Sequence, residues 1–357
     1  MMKDLTGRSG AGDLDDRSGE ILKSVIQAHV LTGEPVGSRT LSRGAGLDLS
    51  PATIRNVMSD LEERGLLSQP HASAGRIPTD LAYRLFVDRL MSKPAIEAGE
   101  AQAIDDALQQ RRREIPELLG EAARQLSRVS QNVGVVLVPD MRRIVVEHLE
   151  FVRLDGNRVV AILVDRAGVV HNRILEVRDT FDQSDLDRIG NELSRRFGGQ
   201  TLPMIREAIA RELLEERSAY DLLRSRLLTL GRDALAVVDA DASDVLVEGA
   251  SNLVGALETN NLERTKELLR TLEQKGRLVD LLEGVLTGQG VQVVIGHENP
   301  VSSLSDLSVV ATTYRAGDRV LGTVGIVGPT RMEYARTIAL VDHLAHVLTR
   351  FLTNPGA

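Results

Sequence analysis

Cysteine is absent from the 357 residues. That excludes a disulfide framework, a thiolate zinc site and a cysteine nucleophile, and it fits a reducing cytoplasm. Tryptophan is absent too, and five phenylalanines and four tyrosines make up the aromatic complement. Proteins that bind single-stranded nucleic acid stack bases on aromatic rings, so that class is disfavoured. Long hydrophobic runs are also missing. Stretches such as Val159–Val164 fall far short of the ~20 residues a membrane helix needs, so no membrane partner is expected. The first nineteen residues are polar and rich in Gly and Asp. They do not form a signal peptide, and residues 1–16 are expected to be a disordered tail.

What is present is ordinary for a soluble globular chain: 42% apolar and 26% charged residues, with length for two or three domains of ~150 residues. The net charge of −8 argues at first sight against a nucleic-acid partner, but distribution matters more than the sum. Residues 17–93 carry ten basic and eight acidic side chains, whereas the tail and residues 94–357 are both net acidic. The N-terminal quarter is the only net-positive block.

That quarter has the pattern of a compact helical unit. Ile21, Leu22, Val25, Ile26 and Val30 recur at helical spacing, in a helix that Gly33 and Pro35 end. Ser38 can cap a short second helix, Arg39–Arg43. Ser50-Pro51 opens a third, with serine at the cap and proline where its missing N–H costs nothing. Leu67 to Pro78 is a turn-rich ribbon, and Leu81 to Met91 is helical again. Residues 95–131 predict two helices split at Pro116. Runs rich in β-branched residues at Val133–Val138, Ile144–Leu154, Arg158–Asp165 and Val169–Val177 predict strands. Helix returns over 182–237 and 262–286, strands at Val291–Ile295, Leu307–Thr313 and Val320–Val327, and a closing helix at Met332 to Leu352. Strand-rich halves flanking a helical block suit an α domain inserted into an α+β domain.

The third helix, Pro51 to Arg64, is the most informative segment. Ile54, Val57, Met58 and Leu61 share one face and point to a core. Ala52, Asn56 and Ser59 lie opposite, flanked by Thr53 and Arg55. A small, hydrogen-bonding, lightly basic face at a helix start is what a major-groove reader needs: Asn pairs with adenine and Arg with guanine. An ordinary amphipathic surface helix has the same pattern. The ribbon shifts the balance, because three helices followed by a two-stranded ribbon is the winged variant of helix-turn-helix. Its tip, Pro70 to Arg76, presents His71, Ser73 and Arg76 to phosphates or the minor groove, and Arg39 adds a backbone contact. A plain surface hairpin is the alternative. The DNA-reading set is therefore Arg39, Thr53, Arg55, Asn56, Ser59, His71 and Arg76.

Ser50-Pro51-Ala52-Thr53-Ile54-Arg55-Asn56-Val57-Met58 and the run from Pro70-His71-Ala72 to Pro78-Thr79-Asp80 closely resemble the heat-inducible transcription repressor family, HrcA. Ile295-Gly296-His297-Glu298-Asn299 and Val327-Gly328-Pro329-Thr330-Arg331-Met332 are similar to later motifs of that family. The resemblance spans about residues 17–352. It implies a cytoplasmic repressor of chaperone operons of the groE and dnaK type. Such repressors bind the inverted-repeat CIRCE operator as homodimers and are relieved on heat stress, with the chaperonin GroEL as modulator. The implied fold is α+β and multidomain: a winged-helix domain over 17–93, a GAF-like domain over 94–181 and 244–352, and a mainly helical dimerisation domain inserted at 182–243. Tyr220, Leu223, Leu227, Leu230 and Ala234 follow a 3-4-3-4 spacing that offers a dimer surface, although a plain core helix spaces its residues the same way.

Enzyme signals are weak, and no cofactor is expected. His343 and His346 sit three apart without an obvious third ligand. His297-Glu298 lacks the second histidine of a zincin. Gly322, Gly325 and Gly328 lie within a strand pattern and suit close backbone packing or bulges rather than a dinucleotide fingerprint. Gly296 to Pro300 suits a ligand-cavity lining, a structural turn, or a hinge against the N-terminal unit. A one-component regulator sensing a small molecule is the alternative function.

Overall fold

The computed structural model describes residues 14–44, 48–92, 95–111, 115–138, 144–155, 157–166, 168, 170–177, 181–215, 230–231, 245–256, 270, 278–279, 282, 290–299, 304–317 and 319–353. Its N-terminal unit is built from α1 (Asp16–Thr32), α2 (Ser38–Gly44) and α3 (Pro51–Glu63), followed by the ribbon β1 (Leu67–Ser68) and β2 (Ile77–Pro78) and then α4 (Asp80–Leu85), which continues as a π-helical turn, Phe86–Leu90. Local signals set these limits. The Asp15 carboxylate accepts the Ser18 N–H at 2.8 Å to start α1, and Gly33, left-handed at φ 73°, returns its N–H to the His29 carbonyl. Ser50 caps α3 by accepting the Thr53 N–H at 3.1 Å, with Pro51 in the first turn. Ile21, Leu22, Val25, Ile26, Leu41, Ile54, Met58 and Leu61 close the core between these helices. Val57, expected on the same face, is half-buried at its edge.

Two helices lead into the body: α5 (Ala98–Gln110) and α6 (Ile115–Ser130), the latter taking Pro116 into its first turn. A five-stranded antiparallel sheet follows, with strand order β7-β3-β10-β9-β8. Its members are β3 (Val133–Leu137), β7 (Val245–Glu248), β8 (Gln292–Val294), β9 (Leu307–Ala316) and β10 (Arg319–Pro329). The helix α9 (Ala250–Ala256) follows β7, and the closing helix α10 (Tyr334–Thr353) packs on one face with α6. The β10 glycines behave as expected of close packing: a bulge falls between Val320 and Gly322, and side chains at Gly322, Gly325 or Gly328 would meet neighbouring strands or Asn132. In β3 against β7, Leu137 stands opposite Val245, so the chain leaves this sheet and returns to it at adjacent strands.

Between those strands lies a second assembly. β4 (Val146–Arg153), β5 (Arg158–Asp165) and β6 (Val170–Glu176) form a separate three-stranded antiparallel sheet. α7 (Gln183–Phe197) and α8 (Leu202–Glu215) share its core, which includes Phe151, Ala161, Leu186, Ile189, Leu193, Ile205 and Ile209. The boundary expected at residue 181 falls between β6 and α7, whose apolar residues share this core; among the described residues this unit is a sheet with two helices. Of the spaced residues offered as a dimer surface, only Leu230 is described, and it is buried in this core. Tyr220, Leu223, Leu227 and Ala234 lie outside the described residues, as do most of 262–286. The whole is an α+β fold.

Candidate nucleic-acid interface

The capped start of α3 projects its outer face into solvent. Ala52, Arg55, Asn56 and Ser59 are exposed on it, and Arg39 is exposed on α2, which packs against α3. Thr53 differs: it is half-buried, and its hydroxyl lies 2.9 Å from the Ser50 hydroxyl, so it serves the cap first. The face carries hydrogen-bonding groups on small neighbours, with the helix's apolar side seated in the core by Ile54, Met58 and Leu61.

The ribbon is shorter than the sequence suggests, with Leu67 opposite Pro78 and Ser68 opposite Ile77. Gln69 ties its turn by donating to the Ala72 and Ala74 carbonyls, both at 3.0 Å, and His71 and Ser73 are exposed there. Arg76 is not at the tip. Its backbone exchanges two 2.9 Å hydrogen bonds with Val36, in the link between α1 and α2. Its guanidinium is paired with Glu62 of α3 at 2.8 Å and is only 20% exposed. The neighbouring Gly75 is required, since a Cβ there would collide with the Val36 carbonyl. Arg76 therefore braces the ribbon against α3, and sequence reasoning missed Glu62 as its partner because the pair is joined only by the fold.

A second polar cluster, also missed, lies behind this unit. Asp80 and Arg84 of α4 meet the 3-10 turn Gly296–Glu298 that follows β8. Hydrogen bonding to Asp80 raises the pKa of His297 above its ordinary 6.5, with the Asp306 charge adding to the effect. Pairing with Glu298 holds Arg84 protonated all the more firmly. Of the three readings left open for residues 296–300, the structural turn is observed, as the 3-10 turn Gly296–Glu298, and it touches the N-terminal unit; Pro300 lies outside the described residues. The two C-terminal histidines are accounted for locally. His343 pairs with Asp105 of α5 at 2.9 Å, a carboxylate 238 positions away in the chain, and His346 with the Asp342 carbonyl at 2.7 Å. Among the described residues no group of three acidic or histidine side chains is placed to hold a metal, and no helix is long and apolar enough to cross a membrane.

A small unit with an exposed, hydrogen-bonding helix face, seated on a larger α+β body, suits a transcription regulator. A family model described as the HrcA protein C-terminal domain matches residues 116–338. A heat-inducible transcription repressor HrcA from Geobacter sulfurreducens is 40% identical over 340 residues, 95% of this chain and 98% of that one. One of the same description from Xanthomonas axonopodis pv. citri is 40% identical over 344 residues, covering 96% and 97%. A solved structure described as a hypothetical protein at 2.2 Å resolution shares the fold, with TM-score 0.72 and 22% identity over 96% of this chain and 99% of that chain. The chain belongs to the HrcA family of heat-inducible transcription repressors, which are not enzymes.

Proposed function

We propose that residues 17–93 are a winged helix-turn-helix that lays α3 in the major groove of a CIRCE-type inverted repeat. Arg55, Asn56 and Ser59 read bases there, Arg39 and His71 touch the backbone, Thr53 holds the helix start, and Arg76 keeps the ribbon in place. The observation that carries this is the exposed outer face of α3, which no other described element covers. The test is binding to a CIRCE duplex and a scrambled duplex across a salt series. The expected result is a strong preference for CIRCE with affinity falling steeply as salt rises. Arg55→Ala should cost ~1–3 kcal/mol on the operator alone. Equal binding to both duplexes overturns the proposal.

The body is a GAF-like domain carrying the inserted unit, and the protein acts in the cytoplasm as a homodimer, since an inverted repeat calls for two-fold symmetry. The three-stranded sheet supports the dimer: its face away from α7 gathers Val152, Val160, Ile162, Val164, Val170 and Ile174, with His148, Glu150 and Asn172 among them and Ile174 55% exposed. In a monomer, this apolar face is also what a chaperonin such as GroEL grasps. The repressor is then expected to regain operator binding after unfolding far better with the chaperonin than without it. One observation favours a second reading, a small-molecule sensor: a cleft of about 270 Å³ between α1 and α10, lined by Val30, Leu31, Asn132, Arg331, Met332 and Arg336. A ligand that raises the melting temperature would support it.

A further inference from the structure

The N-terminal unit and the body share a continuous apolar seam, in which Tyr83 of α4 packs near Tyr334 of α10 with ring centroids 5.8 Å apart. Apolar contact holds surfaces together without fixing their angle. A polar clasp stands beside the seam. Asp80 and Arg84 stand one turn apart on α4 and both meet the 3-10 turn. The Asp80 carboxylate accepts the His297 backbone N–H at 2.9 Å and pairs with its Nδ1 at 2.7 Å. Arg84 binds Glu298 through both carboxylate oxygens, Nε to Oε1 at 2.9 Å and Nη2 to Oε2, and also donates to the Val293 carbonyl of β8 at 2.6 Å. Two-point pairing of a planar guanidinium confers orientation as well as energy. Glu298 also accepts the Ile295 N–H at 3.1 Å, so the turn is pre-shaped. Gly296, at φ +52°, is demanded twice: by the left-handed backbone, and because a Cβ would collide with the Asp80 carboxylate.

On the other side the segment carrying the clasp reaches the turn that follows the reading helix. Thr79, the cap of α4, donates its hydroxyl to the Gly65 and Leu66 carbonyls just beyond the end of α3, at 2.8 and 3.2 Å. A path of hydrogen bonds thus runs from β8, at the edge of the body's sheet, through α4 to α3. We infer that Asp80, Arg84, His297 and Glu298 are positioning residues for operator binding. They set the angle of the reading unit on the body, and hence the spacing and orientation of the two units in a dimer. The inference rests on the proposed reading of an inverted repeat by a homodimer. Its consequence is selective. One unit on one half-site needs no fixed angle, whereas two units on one duplex gain from being held in register before they bind.

The test compares wild type with Arg84→Glu, Glu298→Arg, the exchange of both, and Glu298→Gln, each on a full inverted-repeat duplex and on a single half-site. The single variants are expected to lose about tenfold or more on the full repeat and less than about twofold on the half-site, with the exchange restoring much of the loss. Unchanged affinity for the full repeat, or equal losses on both duplexes, overturns the inference. A second measurement needs no DNA. The chain has no cysteine, so spin labels at Glu63→Cys and His346→Cys report the distance between the reading unit and α10. A narrow distribution in wild type that broadens in folded Glu298→Gln is expected; equal widths overturn the inference. Should wild type show no preference for the repeat over a scrambled duplex, the functional reading fails, and the label distances still decide the clasp.

Discussion

Asn299 shows how much one buried amide can hold. Its Nδ2 shares its two hydrogens among the carbonyls of Gly296, Leu304 and Leu307, at 2.9, 3.0 and 2.6 Å, tying the 3-10 turn to the start of β9. Asn299→Ala leaves these carbonyls without that donor, and the expected loss is ~2 kcal/mol, read from the urea midpoint. His297 makes a prediction of a different kind. Its folded-state pKa lies above 6.5, chiefly through the Asp80 hydrogen bond. The charged pair therefore stabilises the fold fully below that ordinary value, and the contribution fades as pH rises through the raised one. Melting temperature should fall over that window in wild type and less so in Asp80→Asn. Spacing in the sequence marked Arg55, Asn56 and Ser59 as exposed, because a helix's faces follow from its period. It placed Arg76 at the ribbon tip, because the Glu62 carboxylate that draws it inward is a neighbour only in the fold.

Elements were legible where their signals are local. The start of α3 is written in Ser50-Pro51, and the structure puts the serine oxygen on the Thr53 N–H. Ser50→Ala should destabilise the N-terminal unit by ~1 kcal/mol, and the melt of that unit, followed by amide exchange in α3, is the check. The expected strands β3 to β6 form close to their predicted limits. Which sheet each joins is set by its partners: β3 pairs with β10 and β7, whereas among the described strands β4 to β6 pair only with one another. Alternation of apolar residues says that a strand has a buried face and not what buries it, so the boundary at 181 followed composition and cut through one core. β7 was missed because Val245 to Glu248 is four residues of strand beside a turn, too short for periodicity to register. The clasp was half legible, in that the turn at 296–299 stood out while Asp80 and Arg84 did not.

At the scale of the molecule, one apolar cluster runs from the reading unit through α5 and α6 to the body, while the inserted unit keeps a core of its own. The N-terminal unit is net positive and the rest of the chain net acidic, so on the proposed reading DNA is drawn to the N-terminal unit. Separate cores predict separable folding. Replacing residues 138–244 by Asn-Gly joins β3 to β7 as a two-residue hairpin, in the register Leu137 and Val245 already hold. The shortened chain should retain a cooperative melt and bind a half-site, yet sediment as a monomer and lose its preference for the full repeat. A shortened chain that remains dimeric would remove the inserted unit from the dimer proposal.

The neighbouring strands β3 and β7 carry a consequence for how such a chain can change over generations. Because the excursion from Leu137 to Val245 starts and finishes on one rung of a ladder, residues can be gained or lost in its connecting segments, outside the packed β4 to β6, α7 and α8, without moving either anchor. Length variation among relatives should therefore accumulate inside this excursion and spare β9, β10 and α10, whose registers have no slack. New surfaces can be tried there as a graft, while the five-stranded sheet and its closing helix are inherited intact.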